Sequence, residues 1–323
     1  MTGYLDSAVE RVPFGDHVGK SGATLERVLL ADGRRVVVKK LSPATDLVMA
    51  LTGDTTGREY EVWASGLLDR LPAGLGHAVL DGWREADGAV LVMRDLGDTV
   101  LTWEDRLDRA SCRRLIAAVA AMHRAFLGQP PDGLVPLPVL IDSFAPDRVA
   151  PYAGGPNPLP ALVLRGWEHF ADQVPAELAD PVFALLDDPA PLTTALAARP
   201  CTLIHGDLAT VNVALEDDRV TLLDWSLPAA APGAFDLARF LAGCSSVIDA
   251  TREEVIADYR ELAGPAYDEP ALRLALLAGL VWLGWNKALD AAEHPDPQIR
   301  DRERADRDWW LGQARLTLDA GLF

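Results

Sequence analysis

The sequence predicts an α+β fold, with a strand-rich first third and helices through most of the remainder. Three observations carry that expectation. Residues 12–94 fall into short runs rich in β-branched and apolar side chains, separated by turn signals such as Asp32-Gly33 and Asp87-Gly88, whose residues tolerate positive φ. From Ser111 onward, apolar residues recur at helical spacing over long stretches. Residues 201–225 then return to three short apolar runs, 201–204, 211–215 and 220–223. Each ends at or beside a polar residue that apolar burial does not explain: His205, Asp207, Asn212 or Asp224.

Taken in order, residues 12–41 read as strands joined at Asp32-Gly33. Before the turn lies Gly15-Asp-His-Val-Gly19-Lys20-Ser21-Gly22. A P-loop needs Gly, four residues and Gly-Lys-Ser, and it leads into a helix. Here Gly15 leaves three residues and the following segment reads as a strand, so Gly19, Ser21 and Gly22 form either a loop that covers phosphates or a plain glycine turn. The run 36–41 places Lys39 and Lys40 on opposite faces of a strand, one of them inward. A helix over 56–70, apolar at 60, 63, 67 and 71, follows. Strands at 77–83 and 89–94 run into Met93-Arg94-Asp95-Leu96-Gly97, where Met93 by itself reads as core.

The helix at 111–126 has Ser111 as its cap and an apolar stripe at 115, 116, 119, 122, 123 and 126, which makes His123 a hydrogen-bonded core histidine. Residues 128–160, dense in proline and glycine, form a connection, and 161–198 holds two or three helices. Helices at about 234–243, 251–262, 270–291 and 298–320 complete the chain. Their tryptophans, Trp282, Trp285, Trp309 and Trp310, pack helix on helix, with one or two available to line a substrate cleft. The longest apolar stretch, 274–285, is too short to span a bilayer and reads as a core helix.

With 323 residues, 49% of them hydrophobic, the chain can fill a sizeable core. Its 48 acidic and 30 basic residues give a net charge of −18, which opposes nucleic-acid and anionic-membrane partners because phosphate binding needs clustered Lys and Arg. The acidity serves either solubility or attraction of a cation. Three scattered cysteines suggest neither a disulfide framework nor a zinc site. With no basic-then-apolar leader at the start of the sequence, they fit a cytoplasmic protein.

His205-Gly-Asp207, four residues, Asn212, then Leu222-Leu-Asp224-Trp225 carry the chemistry. A hairpin over 216–219 brings Asn212 and Asp224 towards the same loop as Asp207. Hard oxygen donors facing a carboxylate base suit phosphoryl transfer with magnesium. This order resembles the catalytic core of the aminoglycoside phosphotransferase and choline kinase-like enzymes, small-molecule kinases with a protein-kinase-like fold. The run Gly233-Ala-Phe-Asp236-Leu-Ala-Arg-Phe resembles the acidic motif that follows it in that family.

The resemblance implies a two-lobed fold, with a five-stranded nucleotide-binding N-lobe over 1–96 and a mostly helical catalytic C-lobe over 97–323. It implies Asp207 as base, Asn212 and Asp224 as magnesium ligands, His205 as a loop-stabilising residue and Asp236 as a brace. Lys39 becomes the ATP-phosphate lysine, with Glu59 or its rival Glu61 as partner, and Met93, Asp95 and Leu96 the hinge that grips adenine. ATP is the implied nucleotide, with GTP left open. The acceptor is a hydroxyl of a small molecule: an antibiotic-like natural product, aminoglycoside-type or bearing a nucleoside or sugar, or else a metabolite such as a sugar, choline-like compound or amino alcohol. Acidic residues over 290–308 either recognise ammonium groups or pair with the interleaved arginines. Protein kinase activity is disfavoured because only 11 residues separate Asp224 from Asp236, too few for an activation segment. An inactive binding module is disfavoured because every motif position is present. A monomer and a homodimer both remain open.

Overall fold

The computed structural model describes residues 5–14 and 22–323. The chain divides into two compact units, Met1–Trp103 with Thr210–Leu227, and Glu104–Ala209 with Pro228–Phe323.

The first unit contains β1 (Ala8–Pro13), β2 (Thr24–Leu30), β3 (Arg35–Leu41), α1 (Leu47–Leu51), α2 (Arg58–Ala64), β4 (Leu75–His77), β5 (Val79–Glu85) and β6 (Gly88–Arg94). An antiparallel five-stranded sheet runs in the order β1-β2-β3-β6-β5. The β2–β3 turn forms where Asp32-Gly33 predicts it, and Asp32 accepts from the Arg34 amide at 3.0 Å. Alternation sets the faces. Val28, Leu30, Val36, Val38, Val90 and Val92 make one apolar cluster, packed by Leu5, Ala8, Leu80 and Trp83. Burying such side chains contributes about 1.5–3 kcal/mol each. Lys39 lies in register with Leu25 on one side and Leu91 on the other.

Two short elements differ from expectation. The helix predicted over 56–70 is α2 followed by a 3₁₀ turn at Leu68–Arg70, interrupted at Gly66, whose φ is 71°. Its buried positions are Glu59 and Val62 instead of 60 and 63, because a two-turn helix is oriented by its partners and not by its own periodicity. The strand predicted at 77–83 is two, β4 and β5. β4 leaves the main sheet to pair in parallel with β9 (Val220–Leu222), which also pairs antiparallel with β8 (Val213–Leu215). These pairings tie 210–227 into the first unit. Arg94 fastens the small sheet to β6 through two bonds to Glu216, at 2.6 and 3.1 Å.

The second unit is mostly helical: α3 (Arg109–Ala125), α4 (Leu137–Ile141), α5 (Pro146–Val149), α6 (Leu159–Gln173), α7 (Ala176–Asp187), α8 (Ala190–Ala197), α9 (Ala234–Cys244), α10 (Arg252–Ala263), α11 (Glu269–Glu293) and α12 (Pro297–Asp319). One short ribbon joins β7 (Thr202–Ile204) to β10 (Ala229–Ala231). The stripe predicted on α3 is buried at every position, but Asp108 and not Ser111 is the N-cap: its carboxylate accepts from the Ser111 amide at 2.7 Å. The 128–160 connection contains α4 and α5.

At 25 residues, α11 is long and apolar enough to cross a membrane, yet 83% of its most apolar stretch is buried in the fold, as a core helix requires. Trp282, Trp285 and Trp310 are buried, whereas Trp309 lies half-buried beneath the Arg252 guanidinium, 4.5 Å from its ring centroid. The acidic run near α12 is paired within the unit. Glu293 meets Arg165 and His169, Lys287 bridges Glu303 and Asp306, Arg252 meets Asp306, Asp301 meets Arg304, and Asp308 meets Arg307.

Candidate active site

In the first unit, one ammonium serves two carboxylates. β3 carries Lys39 inward, and Lys40 on the opposite face is exposed. Lys39 Nζ lies 2.7 Å from Glu59 Oε2 at the start of α2 and 3.0 Å from Asp224 Oδ1 just after β9. Burial works against the charge on Lys39, but Asp224 and Glu59 outweigh it and hold the lysine pKa above its ordinary value. Burial pushes Glu59 up, with Lys39 opposing and the negative charge of Asp224 adding to the rise. Glu61 pairs with Arg84 instead, so the choice between the two glutamates falls to Glu59.

The segment after β9 is held in an unusual backbone conformation. Asp224 has φ 59°, the one positive φ among the described non-glycine residues, and such a residue persists where its surroundings over-determine it. Glu59 Oε1 accepts from the Trp225 amide at 3.4 Å, and Arg58 Nη1 donates to the Ser226 carbonyl at 3.1 Å. Arg58 is itself fixed by Thr52, and its backbone amide donates to Asp54. Adjacent residues of α2 therefore hold the chain on the far side of Asp224. Asn212 ends the 3₁₀ turn Thr210–Asn212 before β8, and its carbonyl accepts from the Leu223 amide at 2.9 Å, placing it beside the residue that precedes Asp224.

The second unit holds the His-Gly-Asp turn. Gly206 has φ 85°, a conformation that favours glycine, which lets the chain double back after β7. Asp236, fully buried in the first turn of α9, accepts from the His205 amide through Oδ2 at 2.8 Å and from the Gly206 amide through Oδ1 at 2.9 Å. His123 of α3 lies behind it, with Nε2 3.1 Å from Asp236 Oδ2 and Nδ1 2.8 Å from the Tyr259 hydroxyl. With a carboxylate at Nε2, that nitrogen carries the proton and Nδ1 accepts from Tyr259. His205 is buried, and its Nδ1 accepts from the Asp207 amide at 3.4 Å. The Asp207 carboxylate meets Arg239 Nε at 2.8 Å.

The predicted residues thus fall into two groups. Lys39, Glu59, Asn212 and Asp224 gather in the first unit, and His205, Asp207 and Asp236 in the second. Met93, the last residue but one of β6, lies in register with Val37 and Val79. The Asp95 carboxylate pairs with Arg27 at 2.8 Å, and the Leu96 carbonyl accepts from Thr99. Gly22 has φ 106° beside the Thr45 backbone, whereas Gly19 and Ser21 lie outside the described residues. Sequence reasoning did not single out Arg58, Arg239 or Tyr259.

The donors at 212 and 224 are an amide and a carboxylate. Among the described residues no group of three or more His, Cys, Asp or Glu could hold a metal ion. A magnesium ion that takes one or two protein oxygens and completes its shell with phosphates and water fits that donor set; a zinc or multi-carboxylate calcium centre does not.

Among solved structures, the fold is similar to the aminoglycoside phosphotransferase APH(3'')-Id from Streptomyces rimosus in complex with ADP and streptomycin, at 22% identity, 82% of this chain and 94% of that one covered, and a TM-score of 0.50. It is similar to choline kinase LicA from Streptococcus pneumoniae at 13% identity, 95% of each chain and a TM-score of 0.55. A Plasmodium vivax ethanolamine kinase matches at 11% identity, 96% of this chain and 84% of that one, with a TM-score of 0.56. Curated protein sequences give no match. A model of the Phosphotransferase enzyme family matches residues 21–274, well over half the chain, and the sequence motifs and fold agree with it. The chain therefore belongs to the Phosphotransferase enzyme family and is a small-molecule kinase that phosphorylates a hydroxyl group.

Proposed function

We propose that this enzyme transfers the γ-phosphoryl group of ATP, with magnesium, to a hydroxyl of an antibiotic-like natural product. The observation that carries the reading is the shared ammonium of Lys39, held by Glu59 and Asp224 at 2.7 and 3.0 Å. A buried lysine with two carboxylate partners is a fixed cation that can exchange Asp224 for ATP phosphate oxygens while Glu59 keeps it in place. Asn212 and Asp224 are the residues that would hold magnesium, which when bound neutralises charge on the phosphate oxygens. Asp207 accepts the acceptor's hydroxyl proton as the new P–O bond forms and ADP departs with the electrons of the old one. Asp236 holds the His205 and Gly206 amides and so fixes the turn on which Asp207 sits.

The acidic residues over 290–308 have partners within the fold, which supports recognition of the acceptor by its hydroxyls and ring faces over recognition by an array of amines. A role in antibiotic resistance or self-resistance follows from this acceptor class. The free thiols Cys112, Cys201 and Cys244 suit a reducing cytoplasm.

An ADP-release screen with magnesium and ATP tests the proposal over aminoglycosides, nucleoside, peptide and macrolide antibiotics, choline, ethanolamine and simple sugars. The expected result is turnover with a polyhydroxylated antibiotic and a KM that changes little with ionic strength, because exposed charge attraction would be screened by salt. Turnover confined to choline or ethanolamine would replace this reading with a metabolite kinase.

A further inference from the structure

Two residues of α9, Arg239 and Gly243, fit together beside the Asp207 carboxylate. Arg239, one turn after Asp236, folds back so that Nε donates to Asp207 Oδ1 at 2.8 Å, and its side chain is only 11% exposed. Its guanidinium also lies over the Trp282 ring of α11, 5.9 Å from the centroid. One turn further along α9 stands Gly243, where a Cβ would run into Arg239 Nη1 and would lie 3.5 Å from Cζ. Gly243 stands one residue before the end of α9. Here the gap it leaves is filled by the arginine that reaches Asp207. An arginine kept for solubility would extend into water; this one is enclosed by an aromatic ring, a missing side chain and a carboxylate.

We propose that Arg239 is a positioning residue for phosphoryl transfer, holding the Asp207 carboxylate in the orientation that receives the acceptor proton, and that Gly243 is the gap that lets it do so. The inference rests on the reading of Asp207 as the base. A carboxylate turns readily about its last side-chain torsion. A charge-assisted bond from a guanidinium that is itself immobilised removes that freedom, and the gain from correct placement appears in turnover and not in nucleotide affinity.

The test measures ADP release from MgATP, with water as acceptor and with whichever compound of the screen turns over fastest, for Arg239→Met, Gly243→Ala and the double variant. Arg239→Met should lower kcat about 10- to 100-fold, the scale of a misplaced catalytic group, with the KM for MgATP within about twofold. Gly243→Ala should lower kcat with no loss of melting temperature, since alanine is the better helix former. The double variant should be no slower than Arg239→Met alone, because both changes remove the same contact. Losses that multiply, or an Arg239→Met enzyme with wild-type kcat, overturn the proposal. Melting the Arg239→Met, Asp207→Asn and combined variants gives a readout without turnover: shifts that fail to add support the pairing, and independent shifts refute it. Asp207→Asn separates the role of the base from that of the residue that positions it. Wild-type turnover in that variant would refute the base assignment itself, whereas an inactive Asp207→Asn beside an unimpaired Arg239→Met refutes the positioning role alone.

Discussion

Replacing Lys39 by methionine removes an ammonium that Glu59 and Asp224 share. With Nζ 2.7 Å from one carboxylate and 3.0 Å from the other, their oxygens are at most about 6 Å apart. Two unit charges at that separation repel by about 3 kcal/mol at an effective dielectric of about 20. Leaving a buried charge without its partner costs about 3–5 kcal/mol. The Asp224 side chain is 36% exposed and can recover part of its hydration, which brings the cost to or just below the lower end of that range, and Lys39→Met should lose about 2–3 kcal/mol at pH 8.

The loss should depend on pH. Burial already raises the Glu59 pKa in the intact protein, and without Lys39 to oppose it the rise is larger. A group whose folded pKa exceeds its unfolded value contributes stability that is complete below the unfolded pKa and disappears as pH climbs through the folded one. The variant's deficit should therefore be smaller at pH 5.5 than at pH 8, and Glu59→Gln added to Lys39→Met should recover most of it. Urea midpoints of the four members of the cycle, at both pH values, provide the check. A deficit below about 1 kcal/mol that is flat with pH, or a double variant no more stable than Lys39→Met, would refute the shared-ammonium account.

The backbone at Asp224 gives a second test: Asp224→Gly and Asp224→Ala should both be inactive at any magnesium concentration, but the glycine variant should be about 1 kcal/mol more stable because it adopts φ 59° without the penalty that alanine meets. Equal melting temperatures would mean that the strain is absorbed elsewhere. Asn212→Ala, which loses an amide dipole and not a full charge, should regain part of its activity in excess magnesium or manganese; full activity without added metal would remove Asn212 from the metal set. The Arg94 guanidinium, with the Thr221 hydroxyl adding to it, holds the Glu216 pKa down at about 2. Its stabilisation is thus complete above the ordinary glutamate range and lost as pH falls from about 4.5 to about 2. Arg94→Met should lose about 1–2 kcal/mol at pH 7 after allowance for screening, and clearly less at pH 2, where Glu216 is about half protonated; a gap undiminished at pH 2 would assign the effect to packing.

Much of this could be read from the sequence because it depends on local chemistry. Alternation on β3 separates Lys39 from Lys40, and the Asp32-Gly33 turn fixes the β2–β3 hairpin. The α3 stripe identifies His123 as a core histidine, but its partners Asp236 and Tyr259 lie far along the chain and no local pattern names them. Glu59 and Glu61 could not be separated because α2 is two turns long and starts at Gly57 without a side-chain cap; the decision comes from Lys39 and Arg84 across the unit. β4 and β10 are three residues each, shorter than a strand signal, and exist because another strand pairs with them. Arg58 and Arg239 are arginines on helices, whose ordinary place is in water. Only the folded backbone shows that one reaches the Ser226 carbonyl and the other the Asp207 carboxylate.

In the proposed reaction Asp207 takes a proton from an acceptor hydroxyl while Lys39 and Asp224 serve MgATP. One experiment separates these roles: calorimetric titration of Asp207→Asn with MgATP, alongside ³¹P NMR of the reaction with the best acceptor from the screen. The expected result is MgATP affinity within about threefold of wild type and loss of the phosphomonoester signal by at least about 100-fold, the scale of a lost general base. A folded variant that no longer binds MgATP, or one that still forms the phosphomonoester at the wild-type rate, would contradict it.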